Sequence, residues 1–280
     1  MPFKIYKTRT GVLAEKDGEF RRLRVADWNT FINDDFLFEK LTIQFLRGEF
    51  VSRPEIVLSE ELLAPIEKQE VWAAGVTYLK SREARMEESR HAGGESFYDK
   101  VYVAERPELF FKATAQRTVG SGAKVNIRKD STWDVPEPEL TLFITSTKKI
   151  VGYTIGNDMS SRSIESENPL YLPQAKVFEK CAALGPCILV SNTTFRSGET
   201  ITMEIWRDDS CAYNGSVQIT QMKRKQEELV EFLFSECEFP HGCFLMTGTG
   251  MVPPNEFTLQ SGDEIRISIS AIGTLINTVA

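Results

Sequence analysis

The segment DVPEPELTLFITSTKKIVGYTIGNDMS (134–160) holds two apolar runs, LTLFI and IVGYTI, separated by TSTKK. Apolar runs of this length on either side of a short polar segment read as a β-hairpin with buried strands. Into it the chain places Glu137, Glu139 and Asp158. Residues two apart on a strand point to the same face, so Glu137 and Glu139 project together. Pro138 between them cannot donate to a ladder, which puts the pair at an edge or at a strand start. With Thr147–Lys148 as a two-residue loop, Ser146 pairs with Lys149, Glu137 faces Asp158 and Glu139 faces Gly156. Directly opposed residues share a face and lie roughly 4.5–5.5 Å apart at Cα or Cβ, so the three carboxylates converge. A slip of one residue would send Asp158 to the other face. Thr-Lys is, moreover, not a favoured turn pair.

Unpaired charge is costly inside apolar strands, and three convergent carboxylates cannot all stay ionised without a neutralising charge. A hard divalent cation supplies it, and oxygen ligands point to Mg2+, with Mn2+ or Ca2+ also suited. Three protein ligands would leave positions open for water and substrate, the layout of a catalytic metal. The competing reading is a set of salt bridges on an exposed strand face.

Outward from this segment, the 280 residues carry 41% apolar and 26% charged side chains, an ordinary globular balance. The formal charge is −7, with 40 acidic and 33 basic residues, which gives no support to nucleic-acid binding. MPFKIYKTRTG lacks the apolar core of a signal peptide, and no apolar run approaches a membrane span. Five cysteines without C-x-x-C spacing suggest reduced thiols in a cytoplasmic protein. With only two histidines, a zinc site is not expected.

The first residues alternate as short strands (FKIYKT, GVLAEK, EFRRLRV) before a helix-like stretch near 26–47, with Asp27 as its N-cap. We read 1–66 as a small α+β N-terminal domain and 67–280 as the main, mostly β domain. The charged, helix-prone stretch 78–105 interrupts the strands and reads either as a solvated helical hairpin or as a lid. A helix at about 221–235 carries Met222, Leu229, Val230, Leu233 and Phe234 at helical spacing, a core-packing stripe.

Taken in order, PEPELTLFI, GYTIGNDMSSRS, YLPQAKVFEKCAALGPCIL and TGTG resemble the fumarylacetoacetate hydrolase superfamily over roughly 70–280. Within it, YDKVYVAERPELFFKAT, WDVPEPEL, ENPLYLPQAKVF, QMKRKQEEL and IGTLI are similar to the branch of 2-keto-3-deoxy-D-arabinonate dehydratases. The resemblance implies an α+β, mainly β mixed β-roll, a magnesium ion on Glu137, Glu139 and Asp158, and a homo-oligomer (dimer or tetramer). It further implies that Lys176, in LPQAKVF, contacts the substrate, and that Thr249, in TGTG, donates to a substrate carboxylate.

Two departures from the family pattern matter. Hydrolases of the superfamily resemble G-x-N-Y-x-x-H-x-x-E in the lid, whereas GVTYLKSREA places Ser81 at the His and Ala84 at the Glu. Without a positioned imidazole, water loses its usual general base, which favours a lyase over a C–C hydrolase. His91, ten residues on, reads as a solvated lid residue. In NDMSSRS, Ser163 replaces an acidic residue and leaves the orientation of Arg162 open.

The expected reaction is metal-dependent dehydration of a 2-keto-3-deoxy sugar acid to a dioxo acid such as 2,5-dioxopentanoate. An anionic 2-oxo acid beside three carboxylates needs added positive charge. Lys176 is the first candidate; Arg82, Lys112 and Arg162 are further candidates for substrate binding. A lysine near a cation can also transfer protons. Glu165, with Glu167 nearby, is a candidate acid/base, and no C3 base is identified. The alternatives are an acylpyruvase-type hydrolase, a 2-oxo acid decarboxylase, and a non-catalytic 2-oxo acid binding protein.

Overall fold

The structure is a computed structural model and describes residues 1–88, 95–193, 195 and 198–280. At its centre lies the 134–160 hairpin. All seven residues of the strand Pro138–Ile144 are buried, as are eight of the nine in Ile150–Asp158. Burial on both faces explains why these strands read as nearly continuous apolar runs.

Glu139 pairs with Gly156 and Pro138 with Asn157, and the Glu137 and Asp158 backbones exchange both hydrogen bonds. The register at the carboxylates is therefore the expected one. The turn that delivers it is not. Thr145, not Ser146, closes the loop against Lys149, with Lys148 at φ 73°. This is a three-residue loop ending in a left-handed residue, which Thr-Lys satisfies better than a tight primed turn. The extra loop residue shifts the pairing by one, and Val151, a bulge between the pairs Phe143–Gly152 and Ile144–Ile150, shifts it back.

The hairpin belongs to an eleven-stranded mixed sheet among the described residues. On one side Pro138–Ile144 pairs with Cys243–Met246, which runs parallel to Glu70–Gly75, which in turn pairs with Glu108–Thr114. On the other side Ile150–Asp158 pairs with Ala182–Val190, and that strand pairs with Phe3–Thr8. The first 66 residues thus extend the same sheet, through Gly11–Lys16 and Glu19–Leu23.

One face of the sheet is covered by the helices Trp28–Ile32 and Leu37–Arg47. Asp27 caps the first, its carboxylate accepting from the Thr30 N–H at 2.7 Å. The second buries Leu37, Leu41 and Phe45, one side chain per turn, and the Phe3 ring meets Phe45 edge-on at 5.6 Å. The opposite face packs on a five-stranded sheet whose strands Thr200–Arg207 and Glu264–Ile269 point Ile201, Met203, Ile205, Ile265 and Ile267 inward.

Between Glu70–Gly75 and Glu108–Thr114 the chain leaves the sheet as the helices Leu79–Glu88 and Glu95–Val103. These helices occupy the charged stretch read as a helical hairpin or a lid; His91 lies outside the described residues. The expected helix at 221–235 is shorter, Gln226–Leu233. Its first turn is given up because the Lys223 N–H donates to Thr77 O at 2.9 Å. The Arg224 guanidinium donates to the carbonyls of Val101, Ala104 and Glu105, capping the C-terminal end of the helix Glu95–Val103. No helix among the described residues is long and apolar enough to cross a membrane.

Candidate functional site

Strand alternation and the hairpin register bring one carboxylate oxygen each of Glu137, Glu139 and Asp158 within 4.8 Å of one another, all three residues buried. Gly156 makes room beneath them: a Cβ there would lie 2.3 Å from Thr141 Oγ1. Burial, and then the charges of Asp158 and Glu137, push the Glu139 carboxyl well above its usual range, which Lys176 and the Gly248 N–H only partly offset. That N–H approaches Glu139 Oε2 at 2.5 Å. It can do so because Gly248 holds φ +94°.

Lys176 ends the short helix Leu172–Lys176 and is almost wholly buried. Its ammonium lies 2.8 Å from Glu137 Oε2, 3.1 Å from Asp158 Oδ2 and 2.6 Å from Ser160 Oγ, so it bridges two of the three carboxylates. Arg162 opens the helix Arg162–Glu167, where Ser161 accepts from the Ile164 N–H. Its Nη2 lies 2.7 Å from Glu137 Oε1, and its Nη1 4.0 Å from Glu165 Oε2. Ser163 turns away to Ser131, hydroxyl to hydroxyl at 2.9 Å. Glu137 therefore orients Arg162, and no acid at 163 is needed.

A cavity of about 20 Å³ adjoins these groups. That is room for roughly one water-sized occupant. Glu137, Asp158, Arg162, Glu165, Lys176 and Thr249 line it. The Thr249 hydroxyl accepts from the Met251 N–H at 3.2 Å and donates to Met251 O at 3.1 Å. Ser81 also lines the cavity, its hydroxyl donating to Tyr78 O at 2.8 Å.

Other expected residues lie elsewhere. Arg82 is outside the lining, paired with Asp99 at 2.6 Å and stacked on Tyr102. Lys112 is completely buried behind the carboxylates, 2.6 Å from Asp158 Oδ1. Glu167 is exposed.

Two members of the site escaped the sequence reading. Gly248 acts through its backbone, and only the permissive residues of TGTG hinted at it. Glu108, half-buried, lines the cavity opposite Gly75, the last pair of its ladder. A Cβ on Gly75 would lie 2.0 Å from Glu108 Oε2, so the missing side chain gives this carboxylate its place. A Gly-ended strand before the helical insertion and an acid just after it were the available signal.

Among the described residues, five carboxylates (Glu108, Glu137, Glu139, Asp158 and Glu165) line or back the cavity against three cations (Lys112, Arg162 and Lys176). With all of them ionised the two excess negative charges would match one divalent cation, and with one of Glu108 and Glu165 protonated one excess charge remains. Three carboxylates as nearest donors suit a hard, oxygen-seeking cation.

The comparisons agree with this geometry. Residues 71–280 match the model of the fumarylacetoacetate (FAA) hydrolase C-terminal family. A probable 2-keto-3-deoxyxylonate dehydratase of Haloferax volcanii is 47% identical over 245 residues, 86% of this chain and 83% of that one. The 2-dehydro-3-deoxy-D-arabinonate dehydratase of Saccharolobus solfataricus is 44% identical over 217 residues, 77% of this chain and 73% of that one. A solved structure of 2-keto-3-deoxy-D-arabinonate dehydratase complexed with magnesium and 2,5-dioxopentanoate superimposes with a TM-score of 0.83 at 34% identity. That match covers 100% of this chain and 98% of that one. The chain belongs to the fumarylacetoacetate hydrolase family.

Proposed function

We propose that the protein is a magnesium-dependent hydro-lyase that dehydrates a 2-keto-3-deoxy sugar acid, 2-keto-3-deoxy-D-arabinonate or a near relative, to a dioxo acid such as 2,5-dioxopentanoate. The observation that carries this reading is the buried carboxylate trio facing Lys176, in a chain that superimposes over its whole length on a dehydratase holding magnesium and that product. Glu137, Glu139 and Asp158 would hold Mg2+, or Mn2+ in its place. When bound, the cation supplies Lewis-acid stabilisation of charge developing on the 2-oxo and carboxylate oxygens.

The chain's own residues then manage charge and protons. Lys176 offsets the negative charge of the substrate and is placed to share in proton transfer. Glu108 and Glu165 are the two cavity carboxylates outside the trio. One accepts the C3 proton, and the other, protonated, delivers a proton to the departing C4 hydroxyl. Loss of water leaves a C3–C4 double bond, and a proton moved from C5 to C3 gives a C4–C5 enol that ketonises to the dioxo acid. Arg162, held by Glu137, keeps Glu165 at the cavity. Thr249 would donate to the substrate carboxylate once its hydroxyl proton turns from Met251 O. Ser81, bound to Tyr78, offers no imidazole for activating water, which separates this site from the hydrolases. A homo-oligomer is what the family resemblance implies, and a cytoplasmic location what the reduced cysteines suggest.

The test is turnover of 2-keto-3-deoxy-D-arabinonate with and without Mg2+, comparing the native chain with Glu139→Gln and including oxaloacetate and an acylpyruvate as competitors. Metal-dependent formation of 2,5-dioxopentanoate, lost in Glu139→Gln, is the expected result. Turnover of oxaloacetate or acylpyruvate alone would overturn the dehydratase reading.

A further inference from the structure

Lys112 is a completely buried lysine that the reaction as described does not use. It comes from the strand Glu108–Thr114, has no exposed surface and does not line the cavity. An ammonium carries three N–H donors, and three oxygens lie within reach. One, Asp158 Oδ1, is held as an ion pair at 2.6 Å and is the oxygen of that carboxylate that Lys176 leaves aside for Oδ2. The second is Met159 O at 2.9 Å, one residue further along the chain. The third is the backbone carbonyl of Lys176 itself. The Phe178 ring, 5.5 Å from the ammonium, covers it on another side.

A single side chain thus joins the end of the strand Ile150–Asp158 to the end of the helix Leu172–Lys176. Those two ends carry a carboxylate of the trio and the lysine that faces it. We infer that Lys112 is the positioning residue that sets the spacing between Asp158 and Lys176, fixing one carboxylate for a divalent cation while the Lys176 ammonium stays beside it. This rests on the proposed metal-dependent reading. Lys112 acts through Asp158 and through the Lys176 backbone, the kind of supporting contact that orients a ligand without joining it.

Lys112→Met keeps the length and apolar stem of the side chain and deletes its charge and donors. Calorimetric titration with Mn2+ alone is expected to show affinity weakened about 10–100-fold, the usual effect of losing such a support. At saturating metal, kcat for the sugar acid falls while KM changes little, because Lys112 does not meet the substrate. A lower Tm with native Mn2+ affinity and native kcat would reduce Lys112 to a structural role and overturn the inference. A raised KM with native kcat would overturn it too, by placing the side chain on the substrate. A native chain that binds Mn2+ but does not turn over the sugar acid would sink the dehydratase reading, and the affinity comparison would still decide the role of Lys112. Should Lys112→Met fail to fold, 15N-lysine spectra of the native protein serve instead. Two exchange-protected ammonium signals, Lys112 and Lys176, are expected, and both should shift on addition of Mg2+. Signals that stay in place would overturn the inference.

Discussion

Gly248→Ala probes the link between backbone conformation and the metal centre. At φ +94° an alanine pays the left-handed penalty of about 1–2 kcal/mol. Its Cβ would also lie 2.1 Å from Thr77 Oγ1 and 2.8 Å from Ala74 O. Thr77 cannot retreat without loosening its 2.7 Å bond to Thr247 O, a buried hydrogen bond contributing about 1 kcal/mol. Together these amount to a loss of about 2–4 kcal/mol, or roughly 3–7 °C in Tm for a chain of this size. Any shift of the backbone also pulls the Gly248 N–H from Glu139, and divalent-cation affinity should fall about 10–100-fold. Gly262→Ala supplies the control: Gly262 holds φ +93° with nothing within 4 Å of the added Cβ, so it isolates the backbone penalty of about 1–2 kcal/mol. Thermal unfolding and Mn2+ titration of both variants make the comparison. Equal Tm losses with unchanged Mn2+ affinity would refute the reasoning.

Two further outcomes follow from the same contacts. Lys176→Met removes the ammonium that bridges Glu137 and Asp158, so kcat should fall about 10²–10⁴-fold, while calorimetry shows Mg2+ binding retained or tightened by the loss of a competing cation; a kcat within tenfold of native would count against the assignment. Asp27 is held below its usual carboxylate range by the Thr30 N–H, so its ionised form favours the folded state above the unfolded value, and that contribution is lost as pH falls through the folded one. The Tm gap between the native chain and Asp27→Asn should therefore be full at pH 7 and close below about pH 4, as thermal scans across that range would show.

How much of this was legible beforehand depends on how local each interaction is. The facing of Glu137, Glu139 and Asp158 follows from strand alternation and a short hairpin. The register came out at Glu139–Gly156 although the loop is longer by one residue, because the Val151 bulge restores what the turn displaces. A buried face tolerates no net slip, since one residue would turn the apolar set outward and the carboxylates with it. The helical insertion likewise showed itself as a charged interruption between strands. The helix expected from 221 was overruled by the Lys223 N–H, which is spent on Thr77 O, a contact that no local pattern reveals.

By itself the sequence determined which carboxylates converge, the family likeness and the reaction class it implies, because alternation, turn length and motif spacing act over a few residues. Only the tertiary structure decided which cations answer those carboxylates: Arg162 on Glu137, Lys176 between Glu137 and Asp158, and Lys112 behind Asp158 rather than facing the substrate. It also decided that Glu108 and the Gly248 N–H complete the site. Lys112 and Asp158 are 46 positions apart and Glu139 and Gly248 are 109 apart, and they meet because sheet order, not chain order, makes them neighbours. Strand pairing across such separations is a property of the packed whole, where burial of one face fixes what lies opposite it.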